Sequence, residues 1–278
     1  MPTSGAKQLE EAQLPPYPTY EALIEEGRHG TSMLVGLSPS AQRLFWSLSG
    51  PLTTSISIMS SPSNPDSLEP YFQPGTSTWH AISQSPLTRS KVSSITVQVY
   101  ELEMWEEEWL YMHRGHSEPD GGEENGEGVL WGELSDYDEE EDEEGEGEGA
   151  EHLLMCCGEK RPRGKAVSVV VKPAASHGFV TIHDYLSTVH PWLMSLREDI
   201  LGAIGIYEGI VHDMDGYCVP IAPSSGADLM VNYNAPECLM MCNKPIWTKQ
   251  TRNPPQLDFT SPSWLTLLGY SSFGNAKG

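Results

Sequence analysis

Positive charge is scarce in this chain. Its 278 residues hold 16 lysines and arginines against 39 aspartates and glutamates, and none of the 16 falls between residues 117 and 151. Phosphate-rich partners need a basic footprint, so neither a general nucleic-acid surface nor an anionic-membrane surface is expected. Long apolar runs are also missing. The most apolar segment, 199–211, is broken by Gly202, Gly205 and Gly209, and it falls well short of the roughly 18 residues that a spanning helix requires. The first 18 residues lack the basic start and apolar stretch of a secretory signal. Both absences point to an intracellular protein of the cytoplasm or nucleus.

Cysteine is sparse and odd in number: Cys156, Cys157, Cys218, Cys238 and Cys242. A set without framework spacing suits thiols in a reducing compartment better than a disulfide scaffold. Cys156, Cys157, Cys238 and Cys242 could together offer four sulfurs to zinc. The apolar Leu239, Met240 and Met241 between the second pair read instead as a buried segment, so no metal or other cofactor is assigned. Catalytic signatures are lacking as well, with neither a Gly-x-Ser-x-Gly elbow nor a phosphate-cradling glycine loop. His212, Asp213 and Asp215 are not followed by the acidic series and closing glutamate of a calcium loop. His183 and His190 fall on one expected helix, about 10.5 Å apart along its axis, too far to share one metal. No internal repeat is visible at any period.

What the chain does contain is a clear alternation. Ile95, Val97 and Val99 have the period of a half-buried strand, and residues 167–171, rich in valine, predict a second. Whether the first strand runs on through Leu102 and Met104, or gives way to a helix marked by Trp105, Trp109 and Met112, stays open. Residues 20–26 predict a short helix with Thr19 as N-cap and Gly27 at its end. Residues 44–58 join an apolar cluster to an extended segment, and 60–75 read as loop. Thr181 with Asp184 makes a capping box ahead of Ile182, Leu186 and Val189. Pro191 should end or kink that helix, and Ser195 with Glu198 should cap a second one. Short extended segments follow at 217–221, 228–233 and 239–241, and 264–270 forms a closing apolar anchor.

Between residues 117 and 151 lie 17 of the 39 acidic residues. Little apolar surface is there to offset ordering entropy, and like charges repel any compact arrangement. Residues 115–160 are therefore expected to be a disordered acidic insertion. They interrupt a single domain, 19–278, that follows a flexible tail, 1–18. The fold class is α+β: an antiparallel sheet packed on one or two short helices, with a long disordered acidic insertion.

Three blocks carry a resemblance: Leu44-Phe-Trp-Ser-Leu-Ser-Gly-Pro-Leu52; the strand 94–100, preceded by Ser85-Pro-Leu-Thr88 and followed by Trp105; and 167–190 with its Val180-Thr-Ile-His-Asp-Tyr-Leu186. In this order they resemble a domain family of unknown function found mostly in mushroom-forming fungi. The blocks cover well under half of the chain, and the acidic insertion departs from the family pattern. The resemblance implies a single α+β domain with no established activity and no catalytic residues to carry over.

The acidic insertion is the most informative feature. Flexible carboxylates attract basic proteins over long range. Within it, Trp131, Leu134 and Tyr137, followed by Asp138, Glu139, Glu140 and Glu141, suggest an aromatic anchor among charges that docks on a partner. Lys160, Arg161, Arg163 and Lys165 resemble a short nuclear import signal, unless neighbouring carboxylates pair with them. The expectation is thus a soluble intracellular interaction domain whose acidic insertion binds basic proteins, and not an enzyme. The alternative is a divergent hydrolase or metal-dependent enzyme drawing on His177, His183, His190 and Cys238.

Overall fold

The computed structural model describes residues 16–28, 35–117, 128–134, 152–174, 177–208, 211–212, 218–219 and 229–252. Its first elements are α1 (Tyr20–Arg28), β1 (Leu44–Trp46), α2 (Leu52–Ser55), β2 (Ile56–Met59), β3 (Leu68–Pro70), β4 (Phe72–Gln73) and β5 (Thr78–Trp79). Then come β6 (Ile95–Val99), α3 (Tyr100–Glu103), α4 (Trp105–Ser117), β7 (Leu130–Gly132), β8 (His152–Cys156), β9 (Glu159–Lys160) and β10 (Ser168–Val171). The last third holds α5 (Ile182–Ser195), α6 (Arg197–Glu208), β11 (Val211–His212), β12 (Cys218–Val219), β13 (Leu229–Asn232), β14 (Cys238–Asn243) and α7 (Lys244–Arg252). Residues 1–15 of the N-terminal tail, the acidic runs 118–127 and 135–151, the turn at 213–217 and the anchor at 264–270 lie outside the described residues.

The alternating segment forms the middle of the molecule. The central sheet runs β10-β6-β14-β13, and Ile95, Val97 and Val99 of β6 are fully enclosed. Its pairs are antiparallel except β6 with β14, which is parallel. An antiparallel bridge from Ser47 to Met230 and the bond from Leu48 N–H to the Leu229 carbonyl, 2.8 Å, attach the β1-β2-β3 sheet to its β13 edge. Helix α5 lies on the sheet with Ile182, Tyr185, Leu186, Val189 and Leu193 buried, the 3-and-4 spacing of one helix face. Its start is the expected capping box: Asp184 N–H donates to Thr181 Oγ1 at 3.1 Å, and Thr181 N–H to Asp184 Oδ2 at 2.9 Å.

Several local expectations are resolved or corrected. The junction after Val99, open in the sequence, is helical from Tyr100, and Trp105 and Trp109 fall at helical spacing in α4 with Trp109 enclosed. Of the two outcomes expected at Pro191, an ended or a kinked helix, the first does not occur: α5 runs through Pro191 to Ser195. An interior proline forfeits a bond worth roughly 3 kcal/mol with its steric clash, and the buried Val189 and Leu193 on either side hold the helix together regardless. Ser195 does not cap α6, since its hydroxyl donates back to the Trp192 carbonyl at 2.6 Å. The region read as loop at 60–75 contains the exposed edge strand β3, which ends in Pro70. An edge strand with no buried side tolerates proline and leaves no alternation to read.

Strand β6 ends at Val99, one residue after it meets β14 in register at Gln98 with Cys238. The next backbone donor of β14 in need of a partner, Met241 N–H, is met by a side chain: it donates to Glu101 Oε1 from the first turn of α3. Glu101 is 5% exposed, and its Oε2 has no partner among the described residues. Burial pushes its carboxyl up to about 7.

Candidate functional site

The region expected to be coil is partly folded. Leu153 and Cys156 of β8 are buried against Trp109 of α4, with Leu110, Val129 and Trp131 packed beside them. Val129, Trp131, Leu153 and Cys156 thus supply a small core with Trp109 and Leu110, under which β7, β8 and β9 form an antiparallel sheet. Trp131 is half-buried and packs against that core. Leu134 is half-buried just beyond β7. Tyr137, Asp138, Glu139, Glu140 and Glu141 lie outside the described residues.

The register of this sheet fixes how the acidic run is carried. Gly132 is the Cα partner of His152, so residues 133–151 are the connection of a β-hairpin whose stem is docked on α4. That connection contains 12 aspartates and glutamates and no lysine or arginine. Its ends are held together by the ladder, and the ladder is held to the body by Trp109, Leu153 and Cys156.

The basic segment is committed elsewhere. Arg161 Nε and Arg163 Nη1 reach Glu106 Oε1 of α4 at 2.7 and 2.6 Å, and Gly164 N–H donates to Glu106 Oε2 at 2.9 Å. Lys165 pairs with Asp199 of α6 at 2.7 Å. Lys160 is exposed on β9. Three of the four candidate import residues are therefore tied to carboxylates of the folded surface, and an import receptor would have to displace Glu106 and Asp199 to read them.

The residues of the enzyme alternative are dispersed. His190 Nδ1 accepts from Trp46 Nε1–H at 3.0 Å, so its Nε2 carries the proton and donates to the Gly50 carbonyl at 3.0 Å. Burial lowers its pKa. His183 lies 3.2 Å from the Tyr71 hydroxyl and beside Trp79, and burial lowers its pKa too, against the pull of Asp184. His177 stacks on Phe179 with ring centroids 4.4 Å apart. Cys238 and Cys242 stand on β14, their thiols pushed up to about 12 chiefly by burial. A shallow depression of about 460 Å³ is lined by Gly50, Pro51, Leu52, Ser187, His190, Pro191 and Met194. Its one titratable group is His190, whose two nitrogens are already used, so it offers no acid–base pair.

The four-cysteine cluster considered from sequence does not form, because Cys238 and Cys242 belong to the central sheet. Cys156 and Cys157 instead meet His113 of α4, with a ring nitrogen and the two Sγ atoms all within 4.8 Å of one another. Sequence reading missed this group because His113 precedes the cysteines by the whole acidic run. The helical spacing of Trp109 with His113 and the apolar 153–155 were the available signals.

No helix among the described residues is long and apolar enough to cross a membrane. Compared with known proteins, the chain matches no family model, no curated protein and no solved structure, and nothing in those comparisons bears on the three blocks that resemble the fungal family.

Proposed function

We propose that this protein is an intracellular interaction module that captures basic proteins through the acidic hairpin connection 133–151. The observation that carries this reading is the pairing of Gly132 with His152, which joins to a stem anchored on the folded body a connection whose sequence holds 12 aspartates and glutamates and no lysine or arginine. Of the nearest cationic segment, Arg161, Arg163 and Lys165 already pair with Glu106 and Asp199. Concentrated like charge on one short loop creates a field that steers oppositely charged partners, at a range set by a Debye length of about 8 Å at physiological salt. A lysine- and arginine-rich peptide segment is the chemistry that fits it. Its selectivity is modest, because the attraction depends on charge density more than on shape.

Neutralising the connection by Glu→Gln and Asp→Asn changes throughout 133–151 tests the reading. The association rate with a lysine-rich peptide at low ionic strength is expected to fall roughly 100-fold, while the thermal midpoint stays put because the stem is untouched. Stopped-flow fluorescence reads the rate. An unchanged rate in the neutralised chain would remove the basis of the proposal.

A further inference from the structure

We propose that His113, Cys156 and Cys157 form a zinc site that clips the β7-β8-β9 sheet to α4. The donor set is one imidazole and two thiols, the nitrogen and sulfur ligands that zinc prefers. Ligand atoms around tetrahedral zinc are about 3.5–3.8 Å apart given metal–ligand lengths of about 2.0–2.3 Å. The three atoms here already lie within 4.8 Å of one another, so closing on a metal takes side-chain movements of about 1 Å.

The surroundings fit a metal site in three further respects. His113 Nδ1 lies 2.9 Å from the Trp109 carbonyl. A carbonyl only accepts, so Nδ1 carries the proton and Nε2 keeps the lone pair for a metal, the arrangement in which a backbone acceptor orients a histidine ligand. His113 and Cys156 are 2% and 0% exposed under Trp109, Leu153 and Trp131, whereas Cys157 is exposed and gives an ion a way in from solvent. Trp109 Nε1 is buried without an acceptor among the described residues, a polar group left unsatisfied on a ring that stacks on His113 and packs with Cys156.

The turn itself argues that Cys157 is there for its sulfur. Cys156 is in register with Glu159, so Cys157 and Gly158 make a two-residue hairpin turn, with φ of +54° and +80°. Asparagine, aspartate or glycine suits the first of these positions, and cysteine does not. On binding, each thiol gives up its proton to solvent, and two thiolates balance the charge of Zn²⁺, with water completing four coordination. The site joins residues on both sides of the acidic run, from α4 to the β8–β9 turn, and so fixes the stem from which the connection 133–151 projects.

The test uses the full chain, produced with zinc in the medium and without a histidine tag. Metal analysis of the wild type is expected to give about one zinc per chain. Cys157→Asn suits the turn better than cysteine, so it keeps the fold by circular dichroism, yet its zinc content is expected to drop at least about tenfold. Replacing zinc by Co²⁺ adds a thiolate-to-cobalt absorption band in the wild type that Cys157→Asn loses. Wild-type protein with less than about a tenth of a zinc per chain would overturn the proposal. So would a Cys157→Asn protein that keeps its full complement, or wild-type thiols found joined to each other in reducing buffer.

Discussion

Replacing Trp46 by alanine is expected to leave the chain unfolded or nearly so at room temperature. Trp46 is fully enclosed on β1, between Tyr185 and His190 of α5 and Tyr233 beyond β13, with the two tyrosine ring centroids 6.1 Å away. Truncating a buried tryptophan costs about 3–5 kcal/mol through lost transfer energy and the cavity left behind. The change also strips His190 Nδ1 of its donor inside the core, which adds about 1–3 kcal/mol. The sum rivals the roughly 5–15 kcal/mol that holds a domain together. The same centre fastens distant segments, since the Tyr185 hydroxyl donates to the Pro236 carbonyl at 2.6 Å and the Tyr233 hydroxyl to the Leu44 carbonyl. Trp46→Phe separates the two contributions: it keeps most of the ring packing and loses the hydrogen bond, so about 1–3 kcal/mol should be lost. Urea titrations measure both, and a loss under about 1 kcal/mol for Trp46→Ala would show that this centre is not the core of the fold.

Glu101 is expected to draw stability down as pH rises through the weakly acidic range, against His183 and His190, whose lowered pKa values favour folding as pH rises. Its carboxyl is raised from the ordinary 4.5 to about 7 by burial, so between these values the folded chain holds a proton that the unfolded chain releases. The group's contribution is therefore fully present below pH 4.5 and lost as pH climbs through about 7. A shift of this size amounts to roughly 3 kcal/mol. Glu237, raised by burial although it accepts the Tyr20 hydroxyl at 2.7 Å, acts in the same direction. Glu101→Gln isolates the effect. Near pH 5 the variant should match the wild type within about 1 kcal/mol, since a protonated carboxyl and an amide both accept from Met241 N–H. By pH 8 it should gain about 2–3 kcal/mol relative to the wild type. Parallel stability curves for the two proteins would contradict the assignment.

How far the chain could be read in advance follows from where its signals are local. The alternation at 95–99 and the Thr181–Asp184 pair are written within a few residues, and both fold as read. The α+β class follows from them. Strand β3 carries no such signal, because none of its three side chains is buried and nothing marks a face. The parallel pairing of β6 with β14 joins residues about 140 positions apart, Gln98 with Cys238, beyond the reach of any window. The acidic tract hid more than it showed. Its charge masked the apolar Val129, Trp131 and Leu153, which need each other and Trp109 to be worth burying. That carboxylates pair with basic residues 160–165 was open in the sequence, but the partners, Glu106 and Asp199, are distant in sequence and could not be named.

Backbone amide shift mapping tests the central claim most directly. A lysine-rich peptide is titrated into the isotopically labelled full chain at low ionic strength, and the shifts are followed residue by residue. The account predicts changes at 133–151 and at the stem ends, Gly132 and His152, that vanish on adding salt. Changes centred on the depression beside His190 and Met194, with 133–151 unmoved, would contradict it.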